Sequence, residues 1–179
     1  MRKDQRMSRS RMIWCGLLAG AVAMAVNIIL LDLADRVGIV TARGGLLRLM
    51  KLWLTEPLIK IGVSNLWTNL NFPETDTALF KTAFKFTVGL IMALFYALLL
   101  EPRLSGRAIT KGIVYAVLVW LLNAFGVLVI LQEGVAGSRY LTPVGLAYFA
   151  CAHTAFFIVL ALLYERFAKS RKIEVTSQR

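Results

Sequence analysis

Four polar side chains interrupt the long apolar stretches of this chain: Asn27, Lys85, Asn123 and His153. Polar groups embedded in apolar helices are costly without partners, so they mark interhelical hydrogen bonds or a path for protons and ions. Rise along a helix puts Asn123 and His153 each about 14 to 17 Å from the ends of their segments, near a common mid-depth. They are expected to meet, with Asn27 as the third member of an intramembrane polar network. Asp32 and Lys85 both fall near the face away from the chain ends, where an ion pair would relieve two awkward charges.

Imidazole titrates near neutral pH and could pass a proton. A relay, however, needs several titratable groups in series, and no Asp or Glu falls at mid-depth in any apolar stretch. Interhelical bonding is therefore favoured over a proton or ion path. One histidine cannot supply bis-histidine haem ligation, and no paired carboxylates, zinc-binding cluster or phosphate-cradling glycine loop is present. Cys151 and His153 lie two positions apart on one helix, so they point to different faces and do not form a dyad. Cys15 belongs to another depth. No catalytic, cofactor-binding or metal site is expected.

The elements that position these residues are read from the apolar blocks. Met12–Leu31, Thr82–Leu100, Gly112–Leu131 and Val144–Leu163 are each long enough, at about 1.5 Å per residue, to cross a hydrocarbon layer of about 30 Å. Glu101-Pro102-Arg103 ends the second, and Gly134, Gly137 and Pro143 separate the last two. The expectation is an all-α polytopic membrane protein, one domain over 1–179, with four transmembrane helices and basic tails at 1–11 and 164–179. Arg2, Lys3, Arg6, Arg9 and Arg11 before the first block also fit a signal peptide, but the apolar run continues to full spanning length, which favours an uncleaved anchor.

Composition agrees: 58% of residues are hydrophobic and 17% charged, and mean hydropathy is +0.67. The net charge of +11 comes from basic residues flanking the apolar blocks, which points to anionic headgroups and not to nucleic acid. Cys15 and Cys151 sit inside apolar stretches, so no disulfide framework is indicated.

Between the first two blocks, residues 44–62 place Arg48, Lys51 and Thr55 on one helical stripe with leucines and Trp53 around the remainder, the pattern of a helix lying in a membrane interface. Arg48, Lys51 and Trp53 are its expected anchors, and Pro57 is expected to end or kink it. Residues 65–77 read as an exposed loop. Counting Lys and Arg near the span ends places both chain ends on the cytoplasmic side.

Small residues recur at four-residue spacing: Gly16 and Gly20; Gly89, Ala93 and Ala97; Gly112 and Ala116; Ala147, Cys151 and Ala155. Such stripes let helix backbones approach closely, within one bundle or between copies of a chain. An internal echo accompanies them: Lys85 precedes Ala93-Leu94-Phe95-Tyr96 by the interval that separates His153 from Ala161-Leu162-Leu163-Tyr164.

A glycine-alanine first span, a long amphipathic connection, and a fourth span with a buried histidine and an aromatic-rich end together resemble small bacterial inner-membrane proteins of the YagU type. The resemblance covers most of the chain, places the histidine at His153, and implies the bacterial inner membrane. The function expected is that of a partner or accessory subunit of a membrane complex, or a homo-oligomer, without catalytic activity. A small transporter or channel component using the mid-depth polar residues is the alternative, and a lipid-acting enzyme the third reading.

Overall fold

The computed structural model describes residues 7–41, 45–63, 69–70 and 75–177, and among these it is helical with no strand. Helix α1 runs Arg9–Arg36, α2 Gly45–Lys60, α3 Ala78–Phe95, α4 Ala108–Leu121 and α5 Pro143–Ser177. Wide π-helical turns extend α3 through Tyr96–Leu100 and α4 through Leu122–Val127, after which Leu128–Ile130 completes the fourth element. Four segments are long and apolar enough to cross a membrane: Arg9–Arg36, Ala78–Leu100, Ala108–Ile130 and Pro143–Ser170. The chain is an all-α polytopic membrane protein. The expected interfacial segment is a helix from Gly45; Gly44, most of the 65–77 loop and the outermost residues of both tails lie outside the described residues.

Local chemistry sets the ends. Ser8 and Thr77 accept from the backbone N–H groups of Arg11 and Phe80, at 3.4 and 3.2 Å, capping α1 and α3 with donors the helices leave orphaned. Pro57, expected to end or kink the segment, does not end it but lies inside α2. The helix runs on to Lys60 and stops at Gly62, whose φ of +75° suits a residue without a Cβ.

Helix α1 is the seam of the bundle. Against α3, Gly16 faces Ala97 with 2.8 Å between the glycine's would-be Cβ and the alanine's, Gly20 meets Ala93, and Met24 covers Gly89. Each step of four on one helix matches a step of four on the other, so the small residues hold two antiparallel backbones close together. Against α5, Arg11 Nη2 donates to the Ala168 carbonyl at 2.8 Å, Asn27 Nδ2 to that of Ala152 at 3.0 Å, and the Tyr148 hydroxyl to that of Leu30 at 2.7 Å. Helix α4 then packs on the other flank of α5, where the Cβ of any residue replacing Gly112 would lie 2.8 Å from the Phe157 carbonyl oxygen.

An aromatic layer ties α3, α4 and α5 together at the end where Arg11 meets Ala168. Tyr96 stacks on Tyr115 at 6.0 Å and meets Tyr164 edge-on at 5.7 Å, while Tyr115 meets Phe157 at 4.5 Å. The Tyr115 hydroxyl donates to the Met92 carbonyl at 3.1 Å.

The stripe of Ala147, Cys151 and Ala155 does not join this core. Ala147 and Cys151 are exposed and Ala155 is partly so, whereas Ala152, Phe156, Phe157 and Leu160 are buried. Helix α5 instead turns inward the face that carries Phe156, Phe157 and Leu160 together with Ala152 and Ala161, because the large side chains on it remove the most surface, and the Ala147–Cys151 side is left outside.

Candidate functional site

Of the expected mid-depth network, only part assembles. Asn27 is buried and bonds across to the Ala152 carbonyl. His153 lies one residue further along α5, but its Nδ1 bonds the Phe149 carbonyl of its own helix at 3.0 Å and its ring packs on Phe149 at 4.0 Å. Asn123 does not reach it. With Gly112 set against Phe157 and Ile158, the antiparallel register carries Asn123 about two turns past His153, toward the level of Ala147.

The Asp32–Lys85 pair does not form either, and both side chains are exposed. The α1–α3 register set by Gly16, Gly20 and Met24 brings Lys81, not Lys85, to the level of Asp32. Lys85 lies level with Asn27 and Ile28 instead, within electrostatic reach of His153. Asn27, Lys85 and His153 thus share one layer, a combination that span-by-span counting misses because it measures depth from uncertain helix ends.

The anchors of α2 behave differently from one another. Trp53 is exposed and makes no anchoring contact with the bundle among the described residues. Arg48 reaches Glu133, whose side chain is 3% exposed, and Lys51 bonds Asp76 at 2.8 Å. Arg48 and Lys51 therefore fasten α2 to the bundle instead of facing only headgroups. Glu133 was not singled out in the sequence; its signal is a lone carboxylate in the Gln132-Glu133-Gly134 turn after an apolar block. Gln132 has a φ of +60° and Ala136 one of +55°, so the loop presenting Glu133 holds two non-glycine residues in the left-handed region.

A second polar cluster closes the opposite end of the bundle. Tyr96 and Glu101 from the end of the α3 segment, Gly106, Ala108 and Lys111 from the start of α4, and Tyr164 and Glu165 from α5 line a cavity of about 50 Å³. Lys111 Nζ donates to the Glu101 carboxylate at 3.2 Å and to its backbone carbonyl at 3.3 Å. Glu165 is bonded by Lys169 one turn on. Two buried side-chain polar atoms lack a hydrogen-bond partner among the described residues, the Tyr164 hydroxyl and Arg11 Nε, and Arg11 lies within electrostatic reach of Tyr164. The π-helical turn Tyr96–Leu100 carries the first wall of this cavity, and such turns are frequent at functional sites.

The internal echo has a spatial counterpart. Its two tyrosines, Tyr96 and Tyr164, are the pair in edge-on contact, and Lys85 and His153 are the pair in electrostatic reach, so the two motifs run parallel at matching depth. Among the described residues no group of three or more His, Cys, Asp or Glu is placed to hold a metal ion.

No family model, curated protein or solved structure matches this chain.

Proposed function

We propose that this chain is a non-catalytic partner or accessory subunit of a larger membrane assembly, set in a bacterial inner membrane with both chain ends on the cytoplasmic side. The observation that carries the reading is the outward face of α5. Ala147, Cys151 and the half-buried Ala155 form a smooth stripe that no helix among the described residues fully covers, and in lipid such a stripe gains most by backing onto another helix. The basic residues flanking the spans support the orientation, and the resemblance to YagU-type proteins supports the membrane assigned. The mid-depth polar groups suit structure: Asn27 is spent on a helix-to-helix bond and His153 on its own helix.

The test is co-purification in mild detergent of the unaltered chain and of Cys151→Trp. A stoichiometric partner, or a second copy, that is retained by the first and lost by the second supports the reading. Cys151 is the exposed cysteine and Cys15 the buried one, so a thiol cross-linker reports the same contact directly. A monomer carrying a proton flux that His153→Gln abolishes at unchanged melting temperature replaces this reading with transport, because only the imidazole titrates near neutral pH.

A further inference from the structure

The cavity between α3, α4 and α5 is built for a ligand bearing both charges. Its acceptors are the phenol oxygens of Tyr96 and Tyr164 and the carboxylates of Glu101 and Glu165. Lys111, also on the wall, meets Glu101 and Lys169 meets Glu165, each through Oε1, so a further cation would bind beside Lys111 through the second carboxylate oxygens. The interior suits a primary ammonium, which has three N–H donors to place. By size, a cavity of about 50 Å³ has room for a few water-sized groups, since one water needs roughly 10–15 Å³ on this measure.

The rim has the opposite character. Ala108, the first residue of α4, lines the cavity, and the N-cap residue Arg107 gives the helix no side-chain cap, so the first backbone N–H groups of a 14-residue helix remain available for an anion. Arg103 and Arg107 are exposed beside it. The second, independent observation is Tyr164, a cavity-lining residue 1% exposed whose hydroxyl has no hydrogen-bond partner among the described residues. A buried hydroxyl left without a bond costs on the order of 1–3 kcal/mol, which a ligand would recover.

We propose that this cavity binds the phosphoethanolamine headgroup of a membrane lipid, with the ammonium inside among Glu101, Glu165, Tyr96 and Tyr164 and the phosphate at the rim against the start of α4. The position fits a lipid because Glu101 and Ala108 sit at the junction of two membrane-crossing segments. A trimethylammonium headgroup has no N–H to donate to these acceptors. An anionic glycerol headgroup would bring no cation to the two carboxylates. The inference rests on the chain being in a membrane and is independent of the accessory-subunit reading.

The test is the melting temperature of the purified full chain in detergent, titrated in separate arms with phosphatidylethanolamine, phosphatidylcholine, phosphatidylglycerol and soluble O-phosphoethanolamine. The ethanolamine lipid should give a saturable rise of about 3 °C or more, and the choline and glycerol lipids none. Glu165→Gln should weaken the apparent affinity about tenfold or more and Tyr164→Phe about fivefold, the latter without loss of fold because only a hydroxyl is removed. Equal rises with choline and ethanolamine lipids, or wild-type affinity in both variants, overturn the proposal. An equal rise with O-phosphoethanolamine overturns the lipid as the source and assigns the site to a free zwitterion.

Discussion

Asn27 Nδ2 donates to the carbonyl oxygen of Ala152 at 3.0 Å, a side-chain bond from the first span to the last at mid-bundle. The amide is 4% exposed, so it has no alternative partner in water. Asn27→Leu should cost about 0.6 to 2 kcal/mol, the range of hydrogen bonds between membrane helices, measured as lost folded fraction in denaturing detergent. No loss, or a gain, would mean that burying the amide costs as much as its bond returns.

Gly112 is a point of close approach between α4 and α5, with the Phe157 carbonyl oxygen and the Ile158 Cα both under 3 Å from any added Cβ. Those neighbours are backbone and cannot rotate away. Gly112→Ala should therefore destabilise by about 1–3 kcal/mol, whereas Ala147→Leu, which adds volume on the exposed outer face, should change little in the isolated chain. Thermal unfolding of both variants checks the contrast, and equal effects would place the packing seam elsewhere.

Glu133 is buried and Arg48 half-exposed, and their ion pair joins α2 to the loop after α4. Arg48→Ala leaves a buried carboxylate without its partner and should cost more than Arg48→Ala combined with Glu133→Gln. A double-mutant cycle on thermal stability should give a coupling of about 1–2 kcal/mol; additive effects would show that the pair contributes nothing.

Gln132 supplies a strain test at the same loop. With a φ of +60° and an exposed side chain, it gains from replacement by glycine, so Gln132→Gly should raise stability by about 0.5–1 kcal/mol. A lower melting temperature would mean that the side chain has a role its exposure hides.

Acidification should loosen the second tie of α2, about one turn on from Arg48. The hydrogen bond from Lys51, and secondly its charge, hold the Asp76 carboxyl below its ordinary range. A depressed acid contributes above its unfolded value and loses that contribution as pH falls through the lower folded one, here below about pH 4. Being exposed, the contact is weak. Trp53 fluorescence should shift below pH 4 in the wild type but not in Asp76→Asn; a shift in both would assign it to another carboxylate.

The sequence by itself determined that four segments cross a membrane, because hydropathy and length act on each segment alone and need no knowledge of its neighbours. It also marked Gly16, Gly20, Gly89 and Ala93 as small residues at the spacing of close helix approach, without saying which helices they would bring together. Tertiary structure decided what depends on rotation and register between helices. A stripe of small residues in α5 is equally legible whether it faces inward or outward, and only competition with Phe156, Phe157 and Leu160 turned Ala147 and Cys151 outside. Likewise, depth counted from helix ends paired Asn123 with His153 and Asp32 with Lys85, while the contacts of Gly112 and Gly20 set registers that separate both pairs. The cavity at Tyr164 was least legible of all. Its walls come from three helices and a π-helical turn, and a hydroxyl without a partner is a property of the packed chain alone.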